Sequence, residues 1–190
     1  GLGVDGLWVS TLVNVRYLTG FSGSNAGLLL PVQGDPVLYT DGRYRDQAAE
    51  EAADVAVEIV RDISTEAAKR MPGRWALETH TLSVDARAHL GLKDAVSANR
   101  LVETLREVKD AGEIASLERA CAISVEALGD LIAGSFAGRT ERQLARKLEW
   151  AMLERGAEAI AFETILASGP NSAIPHHRPT DRVVQIGDLV

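Results

Sequence analysis

Two adjacent histidines, His176 and His177, are the residues of this chain best suited to chemistry. They follow Pro175, whose ring fixes its own backbone φ angle and makes the approach to the pair locally stiff. An imidazole titrates near neutral pH and can donate a proton or a hydrogen bond to charge that develops at a carbonyl. On the dipeptide alone, however, a pair of histidines in a surface loop is the favoured interpretation.

The other polar residues form no catalytic or metal-binding pattern. Ser22, Ser24 and Ser168 lack the Gly-x-Ser-x-Gly elbow of serine hydrolases. The four histidines and Asp181 include neither a His-x-x-x-His pair nor a closely spaced Cys/His set, so no metal site is predicted within these residues. The Asp and Glu side chains are interpreted as solvent-facing helix residues. Cys121 falls on an apolar helix stripe and is expected to be buried.

Composition limits the class of protein. The 190 residues are 46% hydrophobic and 25% charged, which suits one or two packed globular domains. A net charge of −7 argues against a nucleic-acid partner, since such surfaces need clustered Lys and Arg. The sequence contains no run of about 18 apolar residues, so no membrane partner is expected. A single cysteine suits a reducing compartment, and we expect the protein in the cytoplasm.

The first part of the chain alternates β-rich runs with helix-length segments, which predicts an α/β domain. Strands are predicted over residues 7–12, 26–30, 37–40, 55–60 and 75–78. Helices are predicted over residues 43–53, 65–71 and 84–90, and Ser83 is the expected N-cap of the last.

The pattern becomes helical from about Leu101, which predicts a domain boundary near residue 108, between domains 1–108 and 109–190. A long helical region over 102–134 carries apolar residues at spacings of three and four, which predicts one buried face. These residues are Ile114, Leu117, Cys121, Val125, Leu128 and Ile132. A second helix starts after Thr140, with Gln143 at capping-box spacing, and ends at Gly156. Strands are predicted to begin near 162 and near 186.

Three segments together resemble the proline-specific peptidases of the pita-bread metallopeptidase family, the Xaa-Pro aminopeptidases and Xaa-Pro dipeptidases (prolidases). Residues 14–25 (NVRYLTGFSGSN) and 39–44 (YTDGRY) resemble their creatinase-like amino-terminal domain. Residues 105–114 resemble the linker and first catalytic helix, and 162–190 resemble the approach to the first metal-binding strand. The resemblance implies a creatinase-like α/β domain, followed by the first helices and strand of a truncated pita-bread α+β domain.

The resemblance also implies an activity, the hydrolysis of an Xaa-Pro bond by water that two divalent metal ions, manganese or similar, activate. It makes His176 the active-site histidine that contacts substrate and donates to the oxyanion, and Phe162 a wall of the substrate pocket. His177, beside it, is a second substrate-binding candidate. The metal ligands would follow Val190, so this chain alone is expected to bind no metal and to be inactive. A homodimer is expected, with a peptide carrying proline in second position as substrate.

Two alternatives share this fold. A creatinase-type amidinohydrolase has both domains and the histidine but uses no metal. A non-catalytic binding module would not need His176, so its presence favours an enzyme. The residues after Val190 would separate peptidase from amidinohydrolase, because only the peptidase needs a pair of aspartates there. The sequence leaves aminopeptidase against dipeptidase open.

Overall fold

The computed structural model describes residues 3–190. The chain divides into two compact units, Gly1–Val108 (unit 1) and Lys109–Val190 (unit 2). No helix within the described residues is both long enough and apolar enough to cross a membrane.

Unit 1 is built on one mixed sheet of six strands in the order β4-β3-β2-β1-β5-β6. The strands are β1 (Gly6–Val9), β2 (Ala26–Pro31), β3 (Val37–Thr40), β4 (Ala56–Ile59), β5 (Trp75–Leu77) and β6 (Val96–Ser97). The β1–β2 and β2–β3 pairs are antiparallel, and the other three pairs are parallel. The five strands predicted for this unit are all present, and the α/β fold class is confirmed. The two-residue β6 was not predicted.

Seven helices accompany these strands in residues 3–190. They are α1 (Leu12–Thr19), α2 (Arg45–Glu51), α3 (Ile63–Ala68), α4 (Val84–Leu90), α5 (Leu101–Glu107), α6 (Ala111–Ile132) and α7 (Glu141–Glu154). The predicted long helical region is two helices, because Asp110 caps α6 through a capping box with Glu113. Gly42–Tyr44 and Gly169–Ala173 are short 3₁₀ helices.

The predicted strand over 7–12 was wrong beyond Val9. The amides of Ser10 and Thr11 donate to Oε2 of Glu78, at 2.8 and 2.7 Å, instead of continuing the sheet ladder. Helix α1 then begins at Leu12 and ends at Thr19, and its C-cap Gly20 adopts the left-handed conformation (φ 81°). The prediction that every carboxylate faces solvent was also wrong, since Glu78 is 2% exposed.

A buried polar network holds α1, the end of β5 and α5 together within unit 1. Asn14, which is fully buried, donates to Glu78 Oε1 at 2.6 Å and to Glu103 Oε1 at 2.9 Å. Arg106 donates to Asn14 Oδ1 at 2.9 Å. Burial acts to raise the pKa of Glu103, but hydrogen bonds from Asn14, a backbone amide and His80 outweigh it and lower that pKa to about 2. These contacts satisfy an amide that would be costly to bury alone.

Both faces of the sheet are covered, as the near-continuous apolar strands require. Trp8 and its neighbour Val9 lie in two different buried clusters, because successive side chains of a strand point to opposite faces. Trp8 packs edge-on against Tyr39, with ring centroids 6.1 Å apart. Phe21 lies in the same cluster as Val9.

Close packing around β1 leaves no room for a side chain at Gly6. A Cβ there would lie 2.6 Å from the carbonyl oxygen of Leu30 and 2.3 Å from the Trp75 ring. We expect Gly6→Ala to lower the free energy of unfolding by about 1–3 kcal/mol, because overpacking forces the strand or ring to move. Urea denaturation measures this. Gly42→Ala is the control, since nothing lies within 4 Å of its Cβ position. Equal stability of the two variants would contradict the packing argument.

Unit 2 has a small core formed by Leu131, Leu144 and Val184. The prediction that the apolar face of α6 is buried was wrong. Leu117 is 52% exposed, Val125 is 69% exposed, and Cys121 is exposed too. Spacing identifies an amphipathic face but not what covers it, and α6 buries Ala127 and Leu131 instead.

The segments predicted as strands near 162 and 186 have irregular backbone in the structure. A strand needs a neighbouring strand to bond its backbone groups, and the carbonyl of Leu189 bonds to a turn instead. This carbonyl accepts from the amide of Gly169 at 2.9 Å and from Ser172 Oγ at 2.9 Å. The last residues are therefore tied to the turn that precedes the histidines.

Candidate active site

The segment that carries the two histidines folds over the amino-terminal end of α7. Thr140 caps this helix: its Oγ1 accepts from the Gln143 amide at 3.1 Å, and Gln143 Oε1 accepts from the Thr140 amide at 2.9 Å. This confirms the predicted capping box. The amides of Glu141 and Arg142 donate to the carbonyls of Arg182 and Thr180, so the returning segment satisfies helix donors that have no partner within the helix.

The carboxylate of Glu141, the first residue of α7, is the centre of this arrangement. The residue is fully buried and accepts six hydrogen bonds. Oε1 accepts from the Ser168 amide and Oγ, both at 2.8 Å, and from Asn171 Nδ2 at 3.0 Å. Oε2 accepts from His177 Nε2 at 2.9 Å, the Thr180 amide at 3.0 Å and Thr180 Oγ1 at 2.7 Å. We call Glu141 and these four partners the Glu141 network.

Glu141 is held as an anion. Burial acts to raise its pKa, but the hydrogen bonds from His177, Thr180 and Asn171 outweigh burial and hold the pKa well below its ordinary value. An ionised carboxylate only accepts hydrogen bonds, so Nε2 of His177 carries the proton in this contact. The network therefore fixes the tautomer of His177 when that ring is neutral.

An arginine extends the network to the end of the chain. Arg182 Nη1 donates to Ser168 Oγ at 2.6 Å, and the guanidinium holds both carboxylate oxygens of Asp188, at 2.6 and 3.0 Å. The pKa of Asp188 is lowered by this pairing. Gly169 has φ 51°, and a Cβ there would lie 2.4 Å from Arg182 Nη2. Only glycine fits this turn without displacing the arginine.

The structure separates the two predicted histidines. His177 is 9% exposed, and its Nε2 is committed to Glu141. His176 is exposed and has the left-handed backbone conformation, with φ 55°. The roles predicted for the two residues stay predictions.

Phe162 is not a member of the Glu141 network. It is 76% exposed and lines a groove of about 820 Å³ between α6, α7 and the segment after α7. Ile123, Met152 and Ile160 also line this groove, and His176 does not. The substrate-wall role predicted for Phe162 stays a prediction.

The described residues do not fit a metal centre. Within 3–190, no group of three or more His, Cys, Asp or Glu side chains is arranged to hold a metal ion. The carboxylate of Glu141 already accepts hydrogen bonds from the surrounding loop, and that of Asp188 accepts them from Arg182. No step of a reaction can be assigned to a metal ion held by these residues.

Sequence reasoning missed Glu141, Arg182 and Asp188 as functional-site residues. Glu141 directly follows the N-cap Thr140, where an acidic residue reads as a favourable partner of the helix dipole. Its donors are 27 to 39 residues away in sequence, so no local spacing connects them. The one available signal was the cluster of short donor side chains around the histidines.

The fold agrees with that of known proteins. Residues 1–108 match the family model of the creatinase/prolidase N-terminal domain, and residues 115–190 match metallopeptidase family M24. The first match covers more than half of the chain, so the chain belongs to the creatinase/prolidase family. This confirms the resemblance inferred from the sequence segments. The second match implies use of a metal ion, because M24 is a metallopeptidase family.

Individual relatives are peptidases in name. An uncharacterised peptidase of Bacillus subtilis is 32% identical over 100% of this chain and 56% of its own length. The X-Pro aminopeptidase of Thermotoga maritima is 32% identical, with a TM-score of 0.86 over 98% of this chain and 56% of its own. The Xaa-Pro dipeptidase of Bacillus anthracis is 27% identical, with a TM-score of 0.90 over 98% and 54%. The chain thus spans about half the length of the relatives it matches.

Proposed function

We propose that the protein to which these residues belong is a proline-specific metallopeptidase that hydrolyses the Xaa-Pro peptide bond. The observation that carries the proposal is the order of matches, a creatinase/prolidase domain followed by a metallopeptidase segment that contains His176. The names of the T. maritima and B. anthracis relatives support proline specificity. Two divalent ions, manganese or similar, would supply the activated water, and their ligands lie outside residues 3–190.

Within this proposal, the chain supplies groups that bind and polarise the substrate. The exposed ring of His176 donates a hydrogen bond to the oxygen of the scissile carbonyl as negative charge develops there. Exposed Phe162 provides apolar surface for the substrate. His177 is the second substrate-binding candidate. The substrate is a peptide with proline in second position.

The setting of the enzyme is part of the same proposal. We place it in the cytoplasm as a homodimer without a nucleic-acid or membrane partner. The single cysteine and the net charge of −7 support the compartment and the lack of a nucleic-acid partner. The metallopeptidase match favours a peptidase over a metal-independent creatinase-type amidinohydrolase, and His176 favours an enzyme over a binding module.

An activity assay on the parent protein tests the proposal. In the presence of Mn²⁺ we expect a dipeptidase to hydrolyse Ala-Pro and Met-Pro, and an aminopeptidase to hydrolyse the tripeptide Ala-Pro-Ala. Either enzyme should leave Ala-Ala intact. Removal of metal by a chelator should abolish the activity, and Mn²⁺ should restore it, because the metal activates the water. The 190-residue chain should be inactive under the same conditions.

Two outcomes would contradict this expectation. Hydrolysis of creatine by metal-free parent protein, without cleavage of either proline dipeptide, would favour the amidinohydrolase. Cleavage of Ala-Pro by the 190-residue chain would show that the metal-binding half is not required.

A further inference from the structure

We propose that Glu141 is a positioning residue whose buried carboxylate clamps both ends of the loop 168–180 and thereby fixes the direction in which His176 is presented. The inference rests on the proposed function, since it assigns to His176 the contact with substrate. It goes further by naming a residue whose carboxylate hydrogen-bonds other residues of the loop and not His176.

The backbone of His176 has an unfavourable conformation. Its φ of 55° is left-handed, a conformation that costs a residue with a Cβ about 1–2 kcal/mol. In residues 3–190, only Asn99, Arg100 and His176 are non-glycine residues with positive φ. Such a conformation persists only when the surroundings impose it, and it is common where a side chain must be aimed. Something close to His176 must therefore hold the loop.

The two carboxylate oxygens of Glu141 bind residues on opposite sides of His176 in the sequence. Oε1 binds Ser168 and Asn171, which precede His176, and Oε2 binds His177 and Thr180, which follow it. One side chain thus fixes the loop on both sides of His176, and the nearest anchor is the adjacent residue. The prolines at 170, 175 and 179 remove further backbone freedom from the span between the anchors.

The Glu141 network is also connected to residues 188 and 189. Arg182 joins Ser168 to Asp188, and the Leu189 carbonyl accepts from Gly169. The sequence resemblance includes residues 187–190 in the segment that leads to the first metal-binding strand. The Glu141 network therefore sets the loop of His176 relative to the segment that leads to the proposed metal centre.

The consequence for catalysis is a loss of alignment without a loss of chemistry. A displacement of about 1 Å in a catalytic group can reduce the rate about 10²-fold. We expect Glu141→Gln in the parent protein to lower kcat about 10- to 100-fold and to change KM less than about threefold, since only the interaction made in the transition state is weakened. The glutamine has nearly the same shape, but its amide nitrogen cannot accept from the three donors that face one carboxylate oxygen.

The experiment has two arms. Steady-state kinetics on Met-Pro compare the parent protein with its Glu141→Gln and Glu154→Gln variants. Glu154 is an exposed carboxylate on the same helix and provides the matched control. Histidine-labelled NMR of the 190-residue chain follows the rings of His176 and His177, and Glu141→Gln should shift the signals of both while Glu154→Gln shifts neither. Thermal unfolding checks that each variant is folded.

The possible results distinguish a failure of the positioning role of Glu141 from a failure of the proposed peptidase activity. Wild-type kcat in Glu141→Gln, or a fall in kcat with unchanged His176 signals, would overturn the positioning role. If the parent protein cleaves neither proline dipeptides nor longer peptides with proline in second position, the proposed function fails, while the NMR arm still decides whether Glu141 holds His176. If Glu141→Gln does not fold, Thr180→Val replaces it, because that variant removes one donor to Oε2. The same readouts then apply, with the expected kcat loss reduced to about tenfold at most.

Discussion

Replacing His176 with alanine in the parent protein should lower kcat for Met-Pro by about 10²–10³-fold, with a much smaller change in KM. The reason is that a single donor aimed at a developing oxyanion contributes mainly in the transition state. The ring is exposed and lies in sequence between Asn171 and His177, which both bind Glu141, so its removal leaves the Glu141 network intact. Steady-state kinetics at saturating and limiting substrate measure the split between kcat and KM.

The neighbouring histidine provides a sharp comparison, because the sequence alone does not separate the two. His177→Ala should act chiefly on stability, since it removes a donor to the buried carboxylate of Glu141. His89→Ala is the control for the loss of an exposed histidine elsewhere in the chain. A full kcat in His176→Ala together with a large loss of kcat in His177→Ala would transfer the catalytic role to His177.

The sheet of unit 1 could be predicted because its signals are local. Residues 37–40 form a strand within the predicted bounds, since a Gly-Asp-Pro turn and a following Asp delimit a short β-branched and aromatic run. Helix α1 was missed because its beginning depends on Glu78, which lies more than 60 residues away and captures two backbone amides. Strand β6 has two residues and offers too little pattern to recognise.

The site shows the same limit more strongly. Its histidines and the capping box of Thr140 were visible as short patterns, whereas the role of Glu141 exists only once distant donors converge on it. Periodicity likewise found the apolar face of α6 but not its environment, and Leu117 and Val125 proved exposed. Local patterns predict which residues share an element, and tertiary contacts decide what each element meets.

Replacing Glu141 with alanine should lower the stability of unit 2 by about 3–5 kcal/mol. Six donors lose their acceptor, and several of them stay buried without a partner. Amide hydrogen exchange gives a direct measurement, because the amides of Ser168 and Thr180 bond the carboxylate and should lose their protection. In Glu154→Ala, these two amides should exchange as in the wild type. Retained protection in Glu141→Ala would show that the carboxylate does not hold the loop.

The pH dependence of stability in the wild type and in Glu141→Ala shows whether the negative charge of Glu141 stabilises the loop. The pKa of Glu141 in the folded protein lies below its ordinary value of 4.5, so its contribution to stability is fully present above about pH 4.5 and is lost as the pH falls through the lowered folded pKa. Wild type should therefore lose stability more steeply than Glu141→Ala as the pH falls from about 4.5 toward 3. Urea denaturation over this range should show the gap between the two proteins narrowing in acid. A gap that stays constant would mean that shape alone, and not the ionised carboxylate, stabilises the loop of His176.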